Sequence, residues 1–406
     1  MWNRWSLSLV PKEVAFGILS VLLPLYVIEE INGNLVDLGL IFFMKSCVEI
    51  PAAVLWARWI DREGRCKGFI VISFLISGLM ILLLTITVSV WSFLGLNVLL
   101  SIFYVAHVPA SRVLLVESAP SSEWEGGLAR HRLVLGIGGI VGLLAGALWI
   151  TRLDNRSLML LCGLLILASL ILSVALIQDP PLMIERKIMK FERFVHLAEQ
   201  ADNLAYAPTS YAQTARKAYF ARYPSPKPLI LGILLFPLAS SMVFTSLPIF
   251  FSVNIGASSS LIFSILLIKS ITILIGYTLL GKCQKEKGLK IIKTASTLRM
   301  FFPILLLISG FLSFRLSLTL SSVALAIAGF TWPCFSVPST VLWMEIAPEG
   351  TAGVYNACLT LGAALGSLLG GLIPSYYRYE TLFVFSAFVY GLSLVFFALS
   401  TFRRHI

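Results

Sequence analysis

The stretch LVDLGLIFFMKSCVEIPAAVLWA, residues 35–57, is an apolar run long enough to cross a lipid bilayer. About 20 helical residues are needed, because the hydrocarbon core is roughly 30 Å thick and a helix rises about 1.5 Å per residue. Residues 58–67, RWIDREGRCK, follow directly and are rich in Arg and Lys. An apolar run that ends in a basic cluster is typical of a membrane-spanning helix with that end in the cytoplasm.

The composition of the whole chain also indicates a membrane protein. Of its 406 residues, 58% are hydrophobic and 13% are charged, and the mean hydropathy is +0.91. A soluble domain is about 45–50% apolar and about 25% charged. The net charge of +11 does not indicate nucleic acid binding, because the basic residues lie between apolar runs. The six cysteines show no paired spacing, so we expect small hydrophobic side chains and neither a metal site nor another cofactor.

Twelve apolar runs predict an all-α polytopic membrane protein with twelve transmembrane helices in two six-helix bundles. The predicted domains are an N-terminal bundle (1–177), a cytoplasmic linker (178–227) with a basic amphipathic helix, and a C-terminal bundle (228–406). The alternative for the linker is a simple tether. The predicted spans are 9–28, 35–57, 68–88, 92–115, 130–151, 157–177, 228–252, 258–281, 291–313, 318–343, 352–374 and 380–401.

The distribution of Lys and Arg predicts the orientation. Most of them fall on the side that holds residues 58–67 and the linker, and the opposite side holds only Arg152, Arg156, Arg315 and Arg378. Cytoplasmic loops carry the excess of basic residues. We therefore expect a multi-pass protein of the plasma membrane with both termini in the cytoplasm, and the N-terminal residues give no sign of a cleavable signal peptide.

The two groups of six spans are related by an internal repeat. Leu23-Pro24 matches Leu247-Pro248, and the same interval of 224 positions (247 − 23) carries Lys45-Ser46 onto Lys269-Ser270. Parallel six-helix repeats are a transporter architecture. The same interval also carries Gly64 onto Gly288, and two further matches have slightly longer intervals: Glu117–Pro120 with Glu345–Pro348, and Leu133–Gly136 with Leu359–Gly362.

At these residues the chain resembles the major facilitator superfamily. The loop after the second helix in that family reads G-x-x-x-D-[RK]-x-G-[RK]-[RK], and here it is ARWIDREGRCK, residues 57–67. The second copy, residues 281–290, keeps both glycines but has Lys285 where the aspartate is expected. The segment PEGTAG, residues 348–353, resembles the family's loop before its eleventh helix. The resemblance covers nearly the whole chain and implies the fold of this superfamily.

The resemblance also implies a cytoplasmic gate between the halves. Asp61 would face the N-terminus of the helix that starts near Ala352, where unpaired N–H groups carry partial positive charge. Arg65 would pair with Glu117. The alternative is that these are ordinary positive-inside charges with a turn glycine. The family further implies that helices 1, 4, 7 and 10 line the cavity, while helices 2, 5, 8 and 11 form the seam between the halves.

Small residues recur at four-residue intervals in the fifth span, at Gly138, Gly142 and Gly146. The family's exporters often carry a proline after the second glycine of this segment, and Leu143 stands there in this chain. The spacing therefore predicts close packing between helices rather than an exporter signature.

Charges inside the predicted spans are the candidates for function, since each costs about 2.5–3.5 kcal/mol at a span's centre. Lys45 and Glu49 lie on one face of the second helix, close enough to pair. Lys269 occupies the repeat-equivalent position of Lys45, but Ile273 stands where Glu49 predicts an acid. Either the lysines bind an anionic substrate with Glu49 as a protonatable switch, or they are structural and Lys269 pairs with an acid on another helix.

Further candidates lie on the predicted cavity helices. Tyr104, His107 and Trp332 are predicted substrate contacts, with packing as the alternative, and Pro109 and Pro338 are predicted to kink their helices. Glu13 is a second candidate for proton coupling. The Lys12-Glu13 pair is predicted to lie within a turn of the inner surface, where both side chains can reach the headgroups, and Arg299 is predicted to reach them as well.

These features predict a secondary transporter, not an enzyme, that moves a small organic anion by alternating access with proton coupling. The first alternative is efflux of drugs or amphipathic compounds by a carrier of the same superfamily. The second is an integral-membrane enzyme or a non-transporting sensor, which the scattered histidines and the short linker disfavour. The expected partners are the substrate, protons and membrane lipids, with no nucleic acid, and we expect a monomer.

Overall fold

The computed structural model describes residues 4–117, 124–179, 226–280, 288–346 and 352–400. Within these ranges every regular element is helical. A 3₁₀ segment spans Arg4–Leu9 and a π-helical turn spans Phe250–Asn254. The α-helices are α1 (Val10–Glu29), α2 (Leu35–Glu63), α3 (Lys67–Leu84), α4 (Val90–Tyr104), α5 (His107–Glu117), α6 (Trp124–Trp149), α7 (Asn155–Leu176), α8 (Pro226–Ile249), α9 (Ser259–Leu280), α10 (Gly288–Ser309), α11 (Phe314–Ile346), α12 (Ala352–Tyr376) and α13 (Tyr379–Leu399).

The helices agree with the twelve predicted spans. Eleven stretches among the described residues are long and apolar enough to cross a membrane, and Val90–Leu115, which joins α4 and α5, is one of them. The remaining predicted span corresponds to α6, whose apolar part, Leu133–Trp149, is shorter. The chain is therefore a multi-pass membrane protein. The predicted linker helix lies outside the described residues.

The fourth span is broken into α4 and α5 just before Pro109. Proline has no N–H and its ring clashes with the carbonyl four residues earlier, so the regular helix stops. The backbone instead makes tighter bonds, from Ala106 N–H to Phe103 O (3.2 Å) and from Val108 N–H to Val105 O (3.1 Å). The predicted interruption at Pro109 is confirmed. In the second half, α11 runs without a break through Pro338.

The ends of α2 are fixed by local chemistry. At its start the Asn34 side chain accepts from the Asp37 N–H and the Asp37 carboxylate accepts from the Asn34 N–H, both at 2.9 Å, which is a capping box. At its end Gly64 has φ +74°, a left-handed conformation that suits glycine. The chain then turns into α3. The N–H groups of Cys66, just before the helix, and of Lys67, its first residue, both donate to Asp179 Oδ1 at 2.8 Å.

The two halves use the same helix pairings. In the first, α1 packs on α6 and α7, and α3 packs on α4 and α7. In the second, α8 packs on α12 and α13, and α10 packs on α11 and α13. Between the halves, α2 packs against α12 and α6 packs against α9, which are the second, fifth, eighth and eleventh spans. The seam is formed by the helices that the family resemblance implied.

We call the end of the bundle with the α1–α2 loop the outer end and the opposite end the inner end, after the predicted orientation. Close approaches across the seam lie toward the outer end. A Cβ added at Gly371 would overlap the Leu35 carbonyl oxygen and lie 2.8 Å from Gly39 Cα. On the other side of the seam, the Ser260 hydroxyl donates to the Ala147 carbonyl at 2.7 Å.

The small residues of α6 serve close packing, as their spacing predicted. A Cβ at Gly142 would overlap the Val14 carbonyl of α1, and a Cβ at Gly366 would overlap the Leu238 carbonyl of α8. Both equivalences have the interval of 224 residues (366 − 142 and 238 − 14). The predicted match of Leu133–Gly136 with Leu359–Gly362 has an interval two residues longer. The helix contacts show that the interval of 224 residues holds in this part of the repeat as well, so that match is wrong by two positions.

Candidate functional site

A cavity of about 350 Å³ lies between the two halves. Its walls come from α1, α2 and α6 on one side and from α8, α9 and α12 on the other. Several lining residues are repeat equivalents, among them Pro24 with Pro248, and Lys45 with Lys269. The described lining residues are Phe16, Leu19, Ser20, Leu23, Pro24, Phe42, Lys45, Leu143, Ser241, Phe244, Thr245, Pro248, Leu266, Lys269, Ser270 and Ser367.

Lys45 and Glu49 form the predicted pair. The distance from Lys45 Nζ to Glu49 Oε1 is 3.9 Å, and their side chains are 29% and 25% exposed. The contact is long for an ion pair and open to solvent, so it holds the two groups loosely. Lys45 therefore lines the cavity with its charge partly compensated by an acid on its own helix.

Lys269 also lines the cavity, but its neighbours differ from those of Lys45. Its Nζ lies 4.2 Å from the centroid of the Phe244 ring, a cation–π contact. Among the residues that the structure describes, no carboxylate lies within salt-bridge distance of Lys269. The structural alternative for Lys269 was pairing with an acid on another helix. Such a pair is not observed in the described part of the chain.

Lys12 and Glu13 do not reach toward the headgroups, so that prediction is wrong. Lys12 is 1% exposed. Its Nζ lies 2.6 Å from Glu13 Oε1 and 2.9 Å from His107 Nε2. The rings of Phe74 and Tyr104 lie beside the ammonium, with centroids at 6.0 and 5.4 Å. The burial arises because this face of α1 points toward α5 and α7, inside its own bundle.

The break before Pro109 explains the place of His107. The Tyr104 carbonyl has no helical donor and instead accepts from His107 Nδ1 (2.5 Å) and from the Ser73 hydroxyl (3.0 Å). A carbonyl only accepts, so Nδ1 carries the proton and Nε2 accepts from Lys12. The imidazole is therefore neutral, and both of its nitrogens are occupied by the protein.

Arg299 is also buried, and its predicted position near the headgroups is wrong. It is 2% exposed and lies in the core of the second half. Its guanidinium donates to Tyr390 Oη (3.0 Å), Thr331 Oγ1 (3.1 Å), Ser240 Oγ (2.7 Å) and the Ala328 carbonyl. It also lies 5.4–5.9 Å from the rings of Phe236, Phe244, Phe302 and Tyr390.

The three other predicted substrate contacts lie behind the cavity wall. None of Tyr104, His107 and Trp332 is among the described lining residues. The Tyr104 ring lies 4.3 Å, centroid to centroid, from the ring of Phe16, which does line the cavity. Trp332 lies 5.9 Å from the ring of Phe335 in the core of the second half. A role of these residues in binding stays a prediction.

The residues of the predicted gate lie at the inner end. Asp61 and Arg65 are both exposed. Their predicted partners, the Glu117 side chain and the residues just before Ala352, lie outside what the structure describes. So do residues 281–287 of the second loop motif and residues 348–351 of the PEGTAG segment. The gate therefore also stays a prediction.

Sequence reasoning missed the hydroxyl groups of the cavity. Ser241 and Thr245 lie one turn apart on α8, and Ser270 follows Lys269 on α9. A signal was present, because polar residues four positions apart on an apolar helix share one face. Phe244 was missed as well, and its sequence neighbours gave no sign of its contact with Lys269.

Two related bundles around a cavity near mid-span define a membrane transporter architecture. A family model described as Major Facilitator Superfamily matches residues 13–356, and the chain belongs to this family. The Multidrug resistance protein MdtG of Yersinia enterocolitica is 31% identical over 140 residues. That match covers 33% of this chain and 32% of that protein, so the chain spans about a third of the relative's length.

Solved structures of transporters share the fold over nearly the whole chain. A bacterial homolog of the human lysosomal transporter Spinster, inward-facing and unoccupied, has a TM-score of 0.69 at 14% identity and covers 98% of this chain and 96% of that one. A POT family transporter in complex with 5-aminolevulinic acid has a TM-score of 0.72 at 13% identity, with 99% and 96% covered. The nucleoside transporter NupG gives 0.67 at 12% identity, with 98% of each chain covered.

Proposed function

We propose that this transporter is a secondary carrier that moves a small organic anion across the plasma membrane by alternating access, coupled to protons. The observation that carries the proposal is Lys269, a cation that lines the central cavity with an aromatic ring and no carboxylate beside it in the described part of the chain. A charge in a low-dielectric site is costly unless it is paired, so an anionic substrate completes the site.

Glu49 is the proposed coupling residue. While it is ionised, it compensates Lys45 at 3.9 Å. When it takes up a proton, Lys45 is left without a counter-ion in the same cavity as Lys269, and an anion is then bound more tightly. By thermodynamic linkage a bound anion favours the proton to the same extent. The arrangement therefore supports movement of anion and proton together.

Glu13 is the second candidate for proton coupling, and the contacts favour Glu49 over it. Protonation of Glu13 would leave Lys12 without its carboxylate in the core of the first half, where Lys12 is 1% exposed. Breaking a buried ion pair costs about 3–5 kcal/mol. The same step at Glu49 leaves Lys45 facing the cavity, where water or substrate can compensate it.

The conformational cycle follows from the seam. Contacts of Gly371 with α2 and of Ser260 with α6 hold the outer ends together. In the state that opens outward, Asp61, Arg65 and Glu117 would close the inner end, with both termini on the cytoplasmic side. The Tyr104 ring packs against Phe16 of the wall, His107 contacts Tyr104, and Trp332 lies in the core of the second half. These three residues contact substrate only if the wall rearranges.

A thermal-shift screen of the purified protein tests the proposal. The probes are small mono- and dicarboxylates, phosphate esters, sulfonates and lipophilic quaternary ammonium compounds. We expect at least one anion to raise the Tm, since a ligand at 100 times its Kd stabilises by roughly 2.7 kcal/mol. Lys269→Ala should lose the shift, and Lys290→Ala, an exposed lysine of the same half, should keep it. Stabilisation by cations alone would sink the proposal.

A proton-flux assay tests the proposed coupling. In proteoliposomes with an internal pH dye, an inward gradient of the stabilising anion should acidify the lumen of the wild type. Glu49→Gln should lose the acidification and keep anion exchange, and the exposed Glu63→Gln serves as the control. An unchanged acidification rate in Glu49→Gln removes Glu49 from the coupling role.

Efflux of amphipathic compounds is the second candidate function. The partial match to a multidrug resistance protein favours it, and so do the apolar residues of the cavity wall, such as Phe16, Phe42 and Leu143. Uncharged and cationic compounds would then stabilise the protein in the same screen, with no dependence on Lys269.

A further inference from the structure

The two walls of the cavity break the symmetry of the fold. The wall from the first half is largely apolar, with Phe16, Leu19, Leu23, Phe42 and Leu143. The wall from the second half carries the hydroxyls of Ser241, Thr245, Ser270 and Ser367. The two walls therefore present different chemistry to whatever occupies the space between them.

The hydroxyl groups also differ in what they bind. Ser20 donates to the Gly17 carbonyl at 2.7 Å, and Ser367 donates to the Ala363 carbonyl at 2.9 Å, so both are already bonded within their own helices. In the described part of the chain, Ser241, Thr245 and Ser270 have no hydrogen-bond partner. Three hydroxyl donors on one wall thus remain available for a ligand, in addition to the ammonium of Lys269.

The charges follow the same asymmetry. On the first wall, the ammonium of Lys45 has the Glu49 carboxylate beside it. On the second, the ammonium of Lys269 has the Phe244 ring at 4.2 Å, and Arg299 adds a second positive charge behind that ring, 5.7 Å from its centroid. A negative group is therefore attracted to the second wall, where hydroxyl donors can share its oxygens.

We propose that the substrate is an amphipathic acid held in one orientation, its acidic group on Lys269, Ser241, Thr245 and Ser270 and its apolar body against Phe42 and Leu143. This proposal rests on the proposed anion transport and adds the substrate class and the binding polarity. The cavity volume of about 350 Å³ limits the body to a single ring or a short chain, since sites for drug-sized ligands range over roughly 300–1,000 Å³.

The test uses benzoate, phenylacetate, 3-phenylpropionate and 4-phenylbutyrate, titrated calorimetrically into the full-length protein in lipid nanodiscs. The matched uncharged probe is 4-phenylbutanol. We expect each added methylene to tighten binding roughly fourfold while space remains, which corresponds to the burial of one CH₂ group. The alcohol should bind at least tenfold more weakly than the acid of the same length.

Variants test the contacts of the acidic group and of the apolar body one at a time. Thr245→Val should weaken all four acids roughly tenfold to a hundredfold, as expected for a lost hydrogen bond to a charged group, and leave the increment per methylene unchanged. Thr245→Ser should bind the acids as the wild type does. That result would show that Thr245→Val acts by removing the hydroxyl and not by disturbing the fold. Phe42→Ala should reduce the methylene increment and leave benzoate unaffected. Ser264→Ala on the exposed face of α9 and Phe43→Ala beside the wall are the controls.

The outcomes distinguish this proposal from the proposed function. If the acids bind but their affinity does not change along the series, the orientation is overturned while anion transport stands. The same conclusion follows if Phe42→Ala weakens benzoate, or if Thr245→Val reduces the increment per methylene. If no acid binds and a phenylalkyl amine does, both fail. The Tm of each unliganded variant is measured alongside, and Ser241→Ala, which removes another of the free hydroxyls, replaces Thr245→Val if that variant does not fold.

Discussion

Each half of the molecule buries a basic side chain in its core, but the two halves stabilise it differently. In the first half Lys12 has a carboxylate at 2.6 Å and a neutral imidazole at 2.9 Å. In the second half Arg299 has hydroxyls, a carbonyl and aromatic rings around it, and no carboxylate among the described residues. The first core is neutral as a unit, and the second keeps a net positive charge.

The residue types explain the difference. The guanidinium of arginine is planar, weakly hydrated and able to donate in five directions while its faces contact aromatic rings. The ammonium of lysine is a compact, strongly hydrated charge that needs a closer counter-ion when water is removed. The repeat therefore keeps the helix packing of the two halves alike while their charges differ, and the second half is the positive side of the cavity.

Arg299→Ala tests whether neutral groups alone stabilise the buried charge of the second half. The substitution removes a large buried side chain and leaves Ser240, Thr331 and the Ala328 carbonyl without their donor. We expect a loss of at least about 3 kcal/mol. The thermal unfolding midpoint of the purified protein measures it, with the exposed Arg315→Ala as the control. A midpoint within a degree of the wild type would show that neutral acceptors do not stabilise Arg299.

Glu13→Gln tests the charged pair of the first half. It leaves Lys12 buried without its carboxylate, and we expect a loss of about 3 kcal/mol, the lower end for a broken buried pair because Glu13 is partly exposed. The double variant Lys12→Met, Glu13→Gln should recover most of this loss, since it removes both charges. A double-mutant cycle in which the two single effects simply add would contradict the pairing.

Gly142→Ala and Gly366→Ala test whether packing is conserved where charge is not. Each added methyl would overlap a carbonyl of the facing helix, at Val14 and at Leu238 respectively. Overpacking of this kind costs about 1–3 kcal/mol, and we expect similar losses of thermal stability for the two variants. Gly139→Ala has open space and should be neutral or slightly stabilising. Clearly unequal losses at Gly142 and Gly366 would limit the symmetry to the helix pairings.

The smallest expected effect concerns the caps of α7 and α13. Asp154 caps α7 and accepts from the Ser157 side chain at 2.5 Å, whereas its repeat equivalent Arg378 makes no side-chain cap. Arg378→Asp should add a cap and stabilise the protein by about 0.5–1 kcal/mol. The hydrogen bond with Ser157 lowers the pKa of Asp154, so its contribution is present near neutral pH and lost as the carboxyl protonates below about pH 4.

Asp154→Ala measures that contribution directly. The variant should unfold at a slightly lower temperature than the wild type at neutral pH, and the difference should shrink in acid. Equal midpoints at neutral pH would show that the cap contributes nothing.

Several parts of the candidate site followed from the sequence. Lys45 and Glu49 were predicted to pair from their spacing on one helix, and the salt bridge confirms it. The repeat predicted that Lys45 and Lys269 are equivalent, and both line the same cavity. Each of these inferences depends on residues that are neighbours on one helix or on a regular repeat, so local geometry was enough.

The prediction that Lys12, Glu13 and Arg299 reach the headgroups was wrong, because a distance along the span does not say which way a side chain points. Lys12 contacts a residue 95 positions away, and Arg299 contacts one 91 positions away. Nothing near either residue in sequence names that partner. The free hydroxyls of Ser241, Thr245 and Ser270 were missed for the same reason, since their availability depends on what the facing helices leave unbonded.

The sequence alone determined the membrane-spanning helices, the two-fold repeat and the class of transporter, because hydrophobic runs must match the thickness of the bilayer whatever their neighbours are. Only the tertiary structure decided which intramembrane charges are compensated. That outcome depends on the rotation of each helix in its bundle, which close packing at residues such as Gly142 and Gly366 fixes. As a result Lys269 lines the cavity with no acid beside it in the described chain, while Lys12 and Arg299 are buried behind the walls.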